Sequence, residues 1–170
     1  SDLRKILAEN GRARVVGSGH SFNHIADTPE HQIVLLDMPR SIEIDDIGQL
    51  ARVTGQWTYG ELCPKLEHSG WALSNLASVP HVSVAGACAT GTHGSGTTNG
   101  CLSTQIEEIE LVTAEGDLIT ISKADERFSA AGVGLGALGV VTALTLKLQR
   151  SFSVVQYVYE RIPLEEVATD

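Results

Sequence analysis

The sequence predicts an α+β domain, and three observations carry that prediction. Several short runs alternate apolar and polar residues with period two, two or three helical segments sit among them, and the strands and helices do not alternate regularly as a doubly wound parallel sheet requires. A chain of 170 residues is long enough to bury one core without staples.

The elements follow in order. Leu3, Ile6 and Leu7 share one helical face between Leu3 and Asn10, and Gly11 predicts the stop. Arg14-Val15-Val16 reads as a strand entering Gly17-Ser18-Gly19-His20-Ser21, a turn whose glycines let backbone approach a ligand closely. Ile33 to Asp37 has strand length and composition, and Ile42 to Asp45 and Ala51 to Gly55 alternate. Thr58 with Glu61 three residues on forms a capping-box pattern ahead of Leu62 and Leu66, so a helix is expected to end near Ser69-Gly70. Ile109, Leu111, Ile119 and Ile121 flank Ala114-Glu115-Gly116-Asp117, a hairpin between Glu107 and Ser122. Val140, Leu144, Leu146 and Leu148 mark a strand from Val140 to Gln149. Val154, Gln156, Val158 and Glu160 then predict a further strand leaving the domain toward a helix near the end of the chain. The expected division is a domain over 1–150 and, over 151–170, the start of a connection to another.

Composition excludes several classes of function. With 12 basic and 21 acidic residues the net charge is −9, which opposes attraction to nucleic-acid phosphates or an anionic membrane. The stretch from His68 to Ile106 lacks Asp, Glu, Lys and Arg, yet Gly, Ser, Thr and Asn fill it, so it is no membrane span. Cys63, Cys88 and Cys101 are odd in number and lack C-x-x-C spacing, which predicts a reducing, cytoplasmic setting rather than disulfides or a zinc ribbon. His20 and His24 lie four apart with no acidic residue between them, and no metal is expected. Trp57, Tyr59 and Trp71 are read as core or interface residues. Asp45-Asp46 and Glu107-Glu108 are read as solvated strand ends.

Two constellations point to a large anionic ligand. Gly17 to Ser21 offers bare amides and two hydroxyls after a strand, but Phe22 breaks the G-x-G-x-x-G dinucleotide pattern and no Gly-Lys-Ser/Thr follows. Ser74 to Gly100 contains Ser78, His81, Ser83, Gly86, Thr90, Gly91, Thr92 and His93, with amide donors, hydroxyls and no carboxylate to repel a phosphate. Taken on residues alone, each stretch also reads as a tight structural turn.

As a set, Arg-Val-Val-Gly-Ser-Gly-His-Ser-Phe-Asn at 14–23, Asn-Leu-Ala-Ser-Val-Pro-His-Val-Ser-Val-Ala-Gly at 75–86, Ala-Thr-Gly-Thr-His-Gly-Ser-Gly at 89–96 and Gly-Ala-Leu-Gly-Val-Val-Thr at 136–142 resemble the FAD-binding domain of the vanillyl-alcohol-oxidase type. Within that type the chain is most similar to the alditol (xylitol) oxidases and sugar-lactone oxidases. The resemblance implies a two-subdomain FAD-binding fold with mixed sheets and flanking helices. It implies that Gly17, Ser18, Gly19, His20 and Ser21 hold the FAD pyrophosphate and that His20 bonds covalently to the flavin. Ser78 would face the flavin's reactive edge and the substrate hydroxyl. Ser83, Gly86, Thr90, Gly91, Thr92 and His93 would line the isoalloxazine and phosphates, and the backbone of Val141 the adenine. The reaction implied is oxidation of a polyol, or alternatively a sugar-1,4-lactone, with dioxygen reduced to hydrogen peroxide. A noncatalytic flavin-binding module acting with a partner chain is the reading from another class. The resemblance also implies that the family's first strand precedes this chain and that its C-terminal substrate domain, with the catalytic base, follows it.

Overall fold

A computed structural model describes residues 2–9, 12–163 and 165. In chain order they form α1 (Asp2–Glu9), β1 (Ala13–Val15), β2 (His31–Ile33), β3 (Ile42–Asp45), β4 (Leu50–Thr54), α2 (Tyr59–His68), β5 (Trp71–Ala72), α3 (Val84–Ala89) and a 3-10 turn (Leu102–Gln105). There follow β6 (Ile106–Val112), β7 (Leu118–Ser122), α4 (Phe128–Gly132), β8 (Val140–Lys147) and β9 (Gln149–Arg150). The stop expected at Gly11 lies outside the described residues.

Strands β3-β4-β8-β6-β7 make one antiparallel sheet of five, with β8 at its centre. Period-two patterning decides which face is buried. Ala51 and Val53 lie opposite Leu146 and Leu144, and with Ile109, Leu111 and Ile121 they form the core face. Leu62 and Leu66 of α2 and Val84, Ala87 and Cys88 of α3 pack into that same core, with Trp57, Tyr59 and Trp71 buried among them. On β4 the alternate residue Arg52 instead meets Glu110 at 2.8 Å. A smaller core joins Leu7 of α1 to Val112 and Val140, with Val15 and Ile33 of the parallel pair β1-β2 packed on it.

Local chemistry places α2 where the capping box predicted it. Thr58 Oγ1 accepts from the Glu61 N–H, and the Glu61 carboxylate accepts from the Thr58 N–H. The Thr58 hydroxyl also donates to that carboxylate at 2.9 Å, and this bond, with the one from the Thr58 N–H, holds the Glu61 carboxyl below its ordinary range. The helix N-terminus then anchors the segment before α3. Gly60 N–H donates to Pro80 O at 2.7 Å, Tyr59 N–H to Val82 O at 3.2 Å, and Val84 N–H to Trp57 O at 2.9 Å.

Three expectations are corrected. The strand expected over Ile33 to Asp37 stops at Ile33, because β2 pairs with β1 only at three positions, and beyond it Val34 and Leu36 are exposed. Residues 151–163 alternate in sequence but form no strand: they pair with no strand among the described residues, and Val154, Tyr157 and Val158 are all more than 70% exposed. Alternation becomes a strand only where a neighbour takes up the backbone hydrogen bonds. The acidic pairs are not simply solvated, since Asp46 accepts from Trp71 Nε1 at 2.7 Å and Glu107 pairs with Lys123 at 2.6 Å.

Candidate functional site

The two glycine-rich stretches, far apart in sequence, meet. Ser83 N–H donates to Ser18 Oγ at 3.0 Å, which stitches the turn after β1 to the start of α3. Gly17 and Gly86 face each other across the Ser83 hydroxyl. A Cβ placed on Gly17 would run into Ser83 Oγ and come within 3.7 Å of Gly86 Cα, and one on Gly86 would lie 2.5 Å from the same hydroxyl. Only residues without side chains permit this approach.

From Gly17 to Ser21 the chain is exposed, and none of its five backbone N–H groups donates to another group among the described residues. Gly19, at φ +65°, takes the left-handed conformation that anion-binding nests of successive amides use. Beside it, Ser83 Oγ is buried with no hydrogen-bond partner. A buried hydroxyl left unpaired costs about 1–3 kcal/mol, and an anionic oxygen held by the loop amides would satisfy it. Free amides and an orphaned hydroxyl, brought together by a backbone approach that a Cβ at Gly17 or Gly86 would block, are the donor set of a phosphate site. The residues present therefore fit the pyrophosphate of a dinucleotide cofactor. The loop from Gly17 to Ser21 lies open at the surface. A cavity of about 560 Å³ lined by Leu7, Arg12, Arg14, Asp27 and Gly136 includes none of residues 17–21 or 78–93.

The second stretch is built differently from what its composition suggests. Ala87, Thr90, Gly91 and Thr92 donate their N–H groups to the carbonyls of Ser83, Gly86, Cys88 and Ala87, and so close α3. Thr90 Oγ1 bonds Gly86 O at 3.1 Å, and Gly91 at φ +66° makes the turn after the helix. The loop beyond, from His93 to Gly100, is exposed, and His93 Nδ1 lies 3.0 Å from Gly94 O.

The remaining expected residues are placed as follows. His20 is exposed, with its ring 5.6 Å from Phe22 and 5.3 Å, edge to face, from His81. Phe22 is 97% exposed. Ser78 is exposed, and its hydroxyl has no partner among the described residues. Val141 is the second residue of β8, with its carbonyl packed against Gly55. Sequence reasoning did not bring His81 to His20, because no spacing rule relates residues of two different loops. His24 pairs with Asp27 at 2.6 Å, and among the described residues no group of three or more His, Cys, Asp or Glu is gathered as for a metal ion. Burial beside Tyr59 pushes the Cys88 thiol up to about 12, so that thiol is a core group rather than a nucleophile. Among the described residues no helix is long and apolar enough to cross a membrane.

Comparison with known proteins agrees with this geometry. Residues 2–122 match the family described as FAD binding domain. The chain is 45% identical over 166 residues to the alditol oxidase of a Streptomyces species (strain IKD472 / FERM P-14339), covering 96% of this chain and 40% of that protein. It is 36% identical over 157 residues to L-gulonolactone oxidase of Bos taurus, covering 89% of this chain and 36% of the relative. It is 37% identical over 155 residues to L-gulono-1,4-lactone dehydrogenase of Mycobacterium tuberculosis, with 91% and 36% covered. Among solved structures, 6-hydroxy-D-nicotine oxidase from Arthrobacter nicotinovorans superposes with a TM-score of 0.75 at 30% identity over 88% of this chain and 34% of that one. The chain thus spans two fifths or less of the length of these relatives. By its matched residues and its fold, the chain belongs to the FAD-binding domain family of the vanillyl-alcohol-oxidase type.

Proposed function

We propose that this chain is the FAD-binding part of an oxidase that oxidises an alditol and reduces dioxygen to hydrogen peroxide. The observation that carries the proposal is the junction where the loop at 17–21, with its free amides, meets the unpartnered buried hydroxyl of Ser83 beside Gly86, a donor set that suits a pyrophosphate. The choice of an alditol rests on the 45% identity to an alditol oxidase. Bound FAD supplies a hydride acceptor for the carbinol carbon and a route for electrons to dioxygen. In this reading the amides of residues 17–21 and the Ser83 hydroxyl bind the phosphates, Gly86 lets the backbone close on them, and the stretch from Thr90 to His93 and the backbone of Val141 border the rest of the cofactor. His20 holds the flavin through a covalent bond, and Ser78 presents its free hydroxyl to the substrate.

The decisive experiment is denatured intact mass with peptide mapping on the full natural protein. The expected result is an increment of one FAD on the peptide containing His20, lost in His20→Ala while the fold is kept. An increment that survives that change overturns the assignment of His20. Peroxide release is then assayed with polyols and with sugar-1,4-lactones side by side. Release with lactones alone would move the protein to the lactone oxidases, which the identities of 36–37% already bring into range.

A further inference from the structure

The two histidine rings that meet edge to face are carried by very different backbones. His81 sits between Pro80 and Val82, whose carbonyls accept the N–H groups of Gly60 and Tyr59 at 2.7 and 3.2 Å. Its Cα is therefore pinned on both sides to the capped start of α2. His20 belongs to a loop whose amides have no partner among the described residues, and its ring lies against two aromatic neighbours, His81 at 5.3 Å with planes at 87° and Phe22 at 5.6 Å with planes at 56°. An anchored ring against an unanchored one restricts the side-chain rotation of the second.

We propose that His81 is the positioning residue for His20, holding its imidazole in one orientation for bond formation with the flavin. The proposal rests on the covalent reading given above. In that bond a His20 ring nitrogen replaces one hydrogen of the flavin's 8α methyl group. The N–H and C–H bonds break and one N–C bond forms, and the two protons and two electrons released pass to dioxygen as hydrogen peroxide. A misoriented imidazole slows this step without changing how the phosphates bind, because effective concentration depends on orientation.

The test follows covalent incorporation over time by denatured intact mass after FAD is added to the full natural protein prepared without flavin. Noncovalent FAD binding and the melting temperature are measured alongside. His81→Ala is expected to slow incorporation about five-fold or more while FAD affinity and melting stay near wild type. His81→Phe, which keeps a ring edge and removes the imidazole, is expected to restore the rate to within about two-fold. Wild-type incorporation in His81→Ala overturns the proposal alone. Equal slowing in both variants overturns it too, since the ring contact is then not the cause. No adduct in the wild-type protein, or one on a peptide without His20, overturns the covalent reading and the proposal with it.

Discussion

The turn at Gly17–Ser21 and the stretch from Ser83 to His93 share glycine, serine and histidine, yet they use their backbones in opposite ways. The first leaves its amides free, and the second spends most of its own on closing a short helix. In the first, glycine at position 17 makes room for the Ser83 hydroxyl; in the second, glycine at position 91 makes a helix end possible. Composition alone reads as the same signal in both, and the difference arises from whether a carbonyl lies within reach. A free N–H row persists only where an outside acceptor or water completes it.

The largest expected effect would break the junction between them. Gly17→Ala drives a methyl group into Ser83 Oγ, and we expect a loss of about 1–3 kcal/mol in stability with at least a ten-fold loss of FAD affinity. If the hydroxyl is the obstacle, Ser83→Ala added to Gly17→Ala recovers much of the stability, though not the affinity, in a double-mutant cycle read by chemical denaturation. Strict additivity of the two changes would contradict the close approach. Next in size is Gly91→Ala, which forces a side chain into φ +66° with Val133 3.3 Å away. It should cost about 1–2 kcal/mol and lower the melting temperature, with FAD affinity falling only in proportion. The smallest is Thr90→Val, which removes a hydroxyl already bonded to Gly86 O. A loss of about 0.5–1.5 kcal/mol is expected by the same melts, with a smaller loss of FAD affinity than in Gly17→Ala. A ten-fold affinity loss in Thr90→Val would show that this hydroxyl serves the ligand, and the contrast between the two regions would fail.

Elements governed by local rules were legible from residues alone. Thr58 and Glu61 cap α2 as their spacing requires, and the Ile109–Leu111 and Ile119–Ile121 runs fold into the β6-β7 hairpin around Gly116. What misled was alternation without a partner. The residues after Ile33 and those from Val154 to Glu160 have strand patterns, but no strand among the described residues pairs with them. Asp46 departs from a solvated strand end for a similar reason: its partner, the indole of Trp71, is 25 residues away.

The sequence by itself determined the fold class, the sites of the capped helix and the hairpin, and the turns whose glycines can accept a ligand, because those properties depend on residues within a few positions of one another. Only the tertiary structure decided that Gly17 lies against Gly86, that the Ser83 hydroxyl is buried unpaired, and that His81 meets His20. Each of these joins residues more than sixty positions apart, and such contacts are set by how α2 pins the segment at 80–84 and how β1 delivers its turn to the same place. Periodicity along a chain carries no record of that meeting.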